Sequence, residues 1–201
     1  MKKFYALLGA ALGAAVLALP AAEPGPAFQI VTEQTVCPEY GTVMYRRALL
    51  CEGLRLAFQP PAGWKASADA GQRVLLLESP TADAQIRLRL VLPRRENTNA
   101  PAVLPPAPEL KAVVAGIAAG AEITAEGEYP AAGRVGKSLD FNFVQGARRY
   151  QGRVVWVTLP ECHLELVLTT SNNLAKKHPF FIELLNSLEV RKLQELSQVS
   201  R

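Results

Sequence analysis

Three places in the sequence gather residue types that can do chemistry. Cys162 and His163 are adjacent, with Glu165 two residues on. A thiol beside a histidine base is a nucleophile in waiting. The alternation around it reads as a strand, however. His163 and Glu165 then share one face and Cys162 points to the other, so Cys162 reads as a buried thiol and His163 as a histidine at the rim. Glu122, Glu126 and Glu128 fall on one face of another strand. Three carboxylates suit calcium, and a solvated edge face is the simpler expectation. Gly136-Lys137-Ser138 has the ending of a phosphate loop, but Ala131 stands where that pattern needs glycine, and the segment opens a strand where a helix is required. His178 lies one turn after Leu174 on an apolar helix stripe and reads as a hydrogen-bonded, half-buried residue. Two histidines on separate elements give no zinc spacing. Neither a nucleophile–base pair nor a metal cluster can be assembled, so the chain reads as non-enzymatic, with no cofactor and no metal.

The cysteines set a second question. The three are Cys37, Cys51 and Cys162, and an exported protein can join two of them. A Cys37–Cys51 disulfide closes the shortest loop and removes about 3 kcal/mol of unfolded-state freedom. One geometry forbids it. If 28–36 and 43–51 form a hairpin around Pro38–Thr42, Cys37 faces Val43 and Cys51 lies on the order of 26 Å along the strand. That is far beyond the roughly 7 Å that a disulfide spans. The other expectation is three free or buried thiols.

The compartment follows from the N-terminus. Lys2 and Lys3 precede an apolar run from Ala6 to Leu19, Pro20 breaks it, and Ala21-Ala22 offers a small-residue cleavage site. These are the parts of a secretory signal over residues 1–22. The run is short for a membrane span and no second one follows, so no transmembrane segment is expected after cleavage. Without Lys2 and Lys3 the net charge of +4 falls to about +2, too mild for nucleic acid. The remaining length of roughly 180 residues suits one domain with a real core. The protein is expected in the periplasm or outside the cell, or in the thylakoid lumen if the source is a cyanobacterium.

Residues 23–52 read as an N-terminal extension with strand-like stretches at 28–36 and 43–50. Strands are expected at 54–58, 73–78, 85–92, 122–129, 136–145, 150–159 and 162–170, the last four as an antiparallel meander. Leu110, Val113, Val114 and Ile117 repeat at helical spacing and Gly120 stops that helix. A second helix carries Leu174, Phe181, Leu184, Leu185 and Leu188, with Pro179 inside it. The two-residue turn at Pro160-Glu161 pairs Trp156 with Glu165 and Val155 with Leu166. Val155, Val157, Leu164, Leu166 and Leu168 then line one face, and Val154, Trp156 and Val167 the other. Both faces are apolar, so both need a cover. The tail 191–201 has helical spacing but is polar. Pro93 to Pro108 holds five prolines and fits no regular element. A loop of that length is functional or disordered.

Leu56-Ala57-Phe58-Gln59-Pro60-Pro61-Ala62-Gly63-Trp64, the long link into Glu109–Gly120, Gly152-Arg153-Val154-Val155-Trp156 and Phe180-Phe181-Ile182-Glu183-Leu184-Leu185-Asn186-Ser187-Leu188 together resemble the PsbP-like superfamily. That group includes PsbP, Mog-type and DcrB-like domains, and the resemblance covers residues 53–190. It implies an α+β fold, an antiparallel sheet of about six to seven strands sandwiched between helices. It also implies a binding or adaptor protein rather than an enzyme, with no residue role to carry over. The expected function is an exported adaptor for an envelope or secreted protein of unknown identity. The Pro-rich loop, through Arg94, Arg95, Pro101, Pro105 and Pro106, is the candidate contact, with a passive spacer as the equal alternative. A carrier of a small apolar ligand between sheet and helix, and a thiol-based redox protein, are the competing readings.

Overall fold

The computed structural model describes residues 28–36, 42–94, 101–171 and 173–193. The signal segment, Cys37, Arg95 and the tail beyond 193 lie outside the described residues.

Among the described residues, eleven strands and two helices form an α+β fold with two antiparallel sheets. The larger sheet has seven strands. Its sequence order is β4 (Lys65–Asp69), β5 (Val74–Glu78), β6 (Ala84–Val91), β7 (Glu122–Ala131), β8 (Arg134–Gln145), β9 (Arg148–Thr158) and β10 (His163–Thr170), and its spatial order is β4-β5-β6-β10-β9-β8-β7. The meander is present in the expected register, with Trp156 opposite Glu165 and Val155 opposite Leu166. The smaller sheet joins β1 (Gln29–Val36), β2 (Val43–Cys51), β3 (Leu54–Phe58) and β11 (Glu189–Lys192) in the order β1-β2-β3-β11. Residues 29–51, outside the span of the resemblance, thus supply two of its four strands.

The two faces of the large sheet are covered separately, as their apolar character demands. Helix α2 (Leu174–Ser187) and the small sheet cover one face. Phe58, Leu56, Val155, Leu166, Phe181 and Leu184 meet there with essentially no exposure. Helix α1 (Leu110–Ile117) covers part of the other, where Val114, Leu139, Phe141, Val154 and Val167 form a second, smaller cluster. Gly152 is required beneath Phe141, because a Cβ there would stand 2.3 Å from the ring. The Pro-Ala-Gly-Trp turn closes with Trp64 N–H donating to Pro61 O at 3.0 Å, and Gly63 takes a left-handed φ of 78°.

Helix α2 begins at Leu174, so Pro179 lies within it. Asn173 caps it, its Oδ1 accepting from Ala175 N–H at 2.9 Å. The Lys177–Asp83 ion pair at 2.9 Å ties the first turns of α2 to the β5–β6 turn. Deeper in, Arg153 donates to both carboxylate oxygens of Asp140, at 2.6 and 2.7 Å, and its third nitrogen reaches His178 Nδ1 at 2.9 Å. Tyr129 Oη is 3.0 Å from the same Nδ1. His178 is therefore the hydrogen-bonded, half-buried residue its position on the helix stripe implied.

The hairpin that competes with the Cys37–Cys51 disulfide is the arrangement present. Val36 pairs with Val43 next to the turn and Gln29 with Leu50 at the far end. Cys51 is a free, buried thiol at that far end. The Cys37–Cys51 expectation falls on Cys37, which lies outside the described residues.

Candidate binding face

The face of the large sheet beneath α1 carries the molecule's unusual surface chemistry. Register places Glu128, Lys137, Trp156, Glu165, Arg89 and Val74 directly opposite one another on six consecutive strands. Side chains alternate along each strand, so this row faces α1 together with Val154 and Val167. The helix is too short to cover it. Its 8 residues give about 12 Å of length, against about 29 Å across 7 strands. Open ground is left on both sides.

On one side a groove of about 680 Å³ runs between residues 107–111, which lead into α1, and Glu126–Glu128 of β7, with Lys137, Ser138, Leu139 and Trp156 below. Lys111 bridges to Glu126 at 2.9 Å. Trp156 is buried, and its Nε1 has no hydrogen-bond partner among the described residues. An unmet buried N–H is uncommon and costs about 1–3 kcal/mol. On the other side a groove of about 390 Å³ lies between α1 and strands β5, β6 and β10. It is lined by Val74, Arg87, Arg89, Val113, Glu165 and Val167, among others. A third hollow, of about 860 Å³, lies beyond the end of α1 against Asn142, Phe143, Arg149 and Tyr150. There the Phe143 and Tyr150 rings stack at 5.1 Å.

The Pro-rich segment is fastened to this face. Arg94 and Val103 exchange both backbone hydrogen bonds at 2.9 Å and close the loop at its base. His163 Nε2 lies 2.8 Å from Pro105 O. A carbonyl only accepts, so Nε2 is the donor, and Nδ1 meets Thr158 Oγ1 at 3.1 Å. His163 is 4 % exposed, so it is a buried anchor for the loop rather than a rim residue. Its ring lies 5.2 Å from that of Trp156. Pro105 is half-buried, while Arg94, Pro101 and Pro106 are exposed. Val103 beside them is 64 % exposed. Arg95 lies outside the described residues.

Other candidate chemistry separates. The three glutamates do not share a face. A bulge between Ile123 and Ala125 leaves Glu122 opposite Asn142 and Glu126 opposite Leu139, two β8 residues of opposite orientation. Among the described residues no three His, Cys, Asp or Glu side chains gather as metal ligands. Burial pushes the Cys162 thiol up to about 12 and the Cys51 thiol up to about 11. Both shifts oppose thiolate formation. Gly136-Lys137-Ser138 lies inside β8, as a strand reading requires.

No protein-family model matches this chain, and no curated protein does. Among solved structures, one from Bacteroides thetaiotaomicron VPI-5482 is similar over 68 % of this chain at 13 % identity and a TM-score of 0.47. This chain spans 45 % of that one, less than half of its length. The solution structure of cyanobacterial PsbP (CyanoP) from Synechocystis sp. PCC 6803 is similar over 86 % of this chain and 99 % of its own, at 12 % identity and a TM-score of 0.45. LpqN, involved in cell envelope biogenesis of Mycobacterium tuberculosis, is similar over 80 % and 91 %, at 8 % identity and a TM-score of 0.37. Cyanobacterial PsbP is thus among the structures to which this chain is similar. At these identities the likeness assigns no activity.

Proposed function

We propose that the protein is exported and works by binding rather than catalysis, as an adaptor that meets a protein of the envelope or the exterior on its α1 face. The observation that carries this reading is the fastening of the Pro-rich segment. Arg94–Val103 pairing and the His163–Pro105 hydrogen bond hold residues 101–106 against the sheet, yet Pro101, Val103 and Pro106 remain exposed. An apolar ridge ordered before docking loses little entropy on docking. The N-terminal signal pattern supports export, and no helix among the described residues is long and apolar enough to cross a membrane. Both histidines are engaged in structural hydrogen bonds and both described thiols are buried, which supports binding over catalysis.

The test places a photo-crosslinking residue at position 103 and, as a control, at position 65 on the distant edge strand β4. A single partner joined through position 103 and lost when Pro101→Ser, Ala102→Asp and Pro106→Ser accompany the crosslinker is the expected result. Those substitutions leave the backbone anchors at Arg94 and Pro105 in place. Equal capture from both positions, or capture that survives the triple variant, would remove the loop from the interface.

A second reading, a carrier of a small ligand, is favoured by the grooves beside α1. On the α2 side Phe58, Phe181, Leu184 and their neighbours are buried against one another.

A further inference from the structure

The groove between α1 and strands β5, β6 and β10 has two chemically distinct parts. Its sheet side holds three charged side chains, Arg87, Arg89 and Glu165. Arg89 and Glu165 are cross-strand partners and form an ion pair. Glu165 is largely shielded by the fold, with a side chain 12 % exposed, and Arg89 neutralises it. Arg87 is left over. It stands two residues before Arg89 on the same face, roughly 7 Å along the strand. It is half-buried, and its side chain forms no hydrogen bond or ion pair among the described residues. Its cross-strand neighbours are Leu76 and Val167, neither of which can accept. The groove therefore carries one uncompensated positive charge, on a group with five donors and no acceptor.

The helix side is different. Val113 and Ile117 present apolar surface, which continues onto Val74 and Val167 below. Gly116 opens the wall between them, with nothing within 4 Å of where its Cβ would stand. A volume of about 390 Å³ is that of a small-molecule site rather than a crevice for water. A half-shielded guanidinium favours an oxyanion, which it meets with two parallel charge-assisted hydrogen bonds. The neighbouring apolar wall favours a hydrocarbon body.

Building on the carrier reading, we propose that this groove binds a small amphiphilic anion, a carboxylate or phosphate monoester on a short apolar body, with the acid group on Arg87 and the body against Val113 and Ile117. Such a head group is shared by free organic acids and by anionic lipids, so the experiment includes both sources. The full chain is titrated with octanoate, octyl phosphate, inorganic phosphate, octanol and phosphatidylglycerol vesicles. Binding is followed by calorimetry and by amide chemical shifts. Octanoate and octyl phosphate are expected to bind and to shift residues of β6 and α1. Inorganic phosphate and octanol, each lacking one half, are expected to bind far more weakly. Arg87→Gln should weaken the acids by about tenfold or more. Arg87→Lys, a point charge without the fork, should fall between. Gly116→Leu should fill the groove and abolish binding while the circular dichroism spectrum stays unchanged. Binding to vesicles alone, lost in Arg87→Gln, would assign the head group to a lipid and uphold the site. Octanoate binding that Arg87→Gln leaves intact, with shifts around Trp156 and Lys137, would overturn this site and keep the carrier reading. Failure of every probe to bind would overturn both.

Discussion

The two faces of the seven-stranded sheet are built from the same strands and do different work. On β10, Leu164, Leu166 and Leu168 point to the α2 side and are fully covered, while His163, Glu165 and Val167 point to the α1 side. The α2 side has a 14-residue helix and a second sheet over it, and its side chains are apolar except at one margin, where Arg153, Asp140 and His178 meet. The α1 side has an 8-residue helix and a tethered loop, and polar or charged groups appear wherever that cover stops. Cover length decides the division. A face that is completely roofed can be wholly apolar, and one that is partly roofed must keep polar groups at its open margins. Stability is thereby concentrated on one side, and open surface of mixed chemistry is left on the other.

The largest effect should come from removing the centre of the α2 layer. Phe181 has no exposed surface and packs beside Tyr129. Phe181→Ala should cost about 3–5 kcal/mol, read as a lowered denaturation midpoint with unchanged slope. A sharper comparison uses adjacent residues. Val154 and Val155 are both completely buried, on opposite faces of β9. Val155→Ala leaves a cavity between two rigid layers and should cost about 2–3 kcal/mol, whereas at Val154 the short helix can settle into the gap and about 1 kcal/mol is expected. Equal losses at the two sites would mean that α1 is held as rigidly as α2, and the division of labour would fail.

Much of this division was legible because it is written in alternation. The β9–β10 register, the two apolar faces and both helices follow from period-two and helical patterns at Val154–Leu168, Leu110–Ile117 and Leu174–Leu188. What escaped were elements defined by partners rather than by their own residues. Strand β4, Lys-Ala-Ser-Ala-Asp, has little intrinsic strand preference and exists through its pairing with β5, with Ala66 and Ala68 against the core. Strand β11 is four residues long and is defined by its pairing with β3. It completes a small sheet that a single-sheet expectation omits. The bulge near Thr124, which parts Glu122 from Glu126, has no residue signature in the sequence. At the candidate site, the Pro-rich loop and Arg94, Pro101 and Pro106 were visible by composition. The anchoring of Pro105 by His163 was not, because 58 positions separate them. Arg87 falls within the expected strand 85–92, and the lack of a partner for its side chain emerges only once β5, β10 and α1 are around it.

The smallest effect, and the one that tests the α2 seam directly, is a pH dependence at His178. Arg153 can only donate, so the Nδ1 that it meets at 2.9 Å must carry a lone pair. Protonating that nitrogen would set an N–H against a guanidinium N–H. Burial holds the His178 pKa below its ordinary 6.5, the Arg153 charge lowers it further, and Asp140 opposes them. Tyr129 is the remaining titratable group at hydrogen-bond distance, and it stays neutral in this range. A histidine with a lowered pKa in the folded state binds fewer protons there than in the unfolded chain. Stability from this source is complete above pH 6.5 and falls as the pH drops through the folded-state value. Urea midpoints measured from pH 7.5 downward, but above the carboxylate range near about pH 4, should therefore decline. His178→Asn, which retains an acceptor but cannot titrate, should lower the midpoint at neutral pH and flatten that decline. The effect is small because His178 sits at the margin of the layer, only half-buried. An unchanged slope in the variant would place the titrating group elsewhere and leave the seam between α2 and β9 without its polar latch.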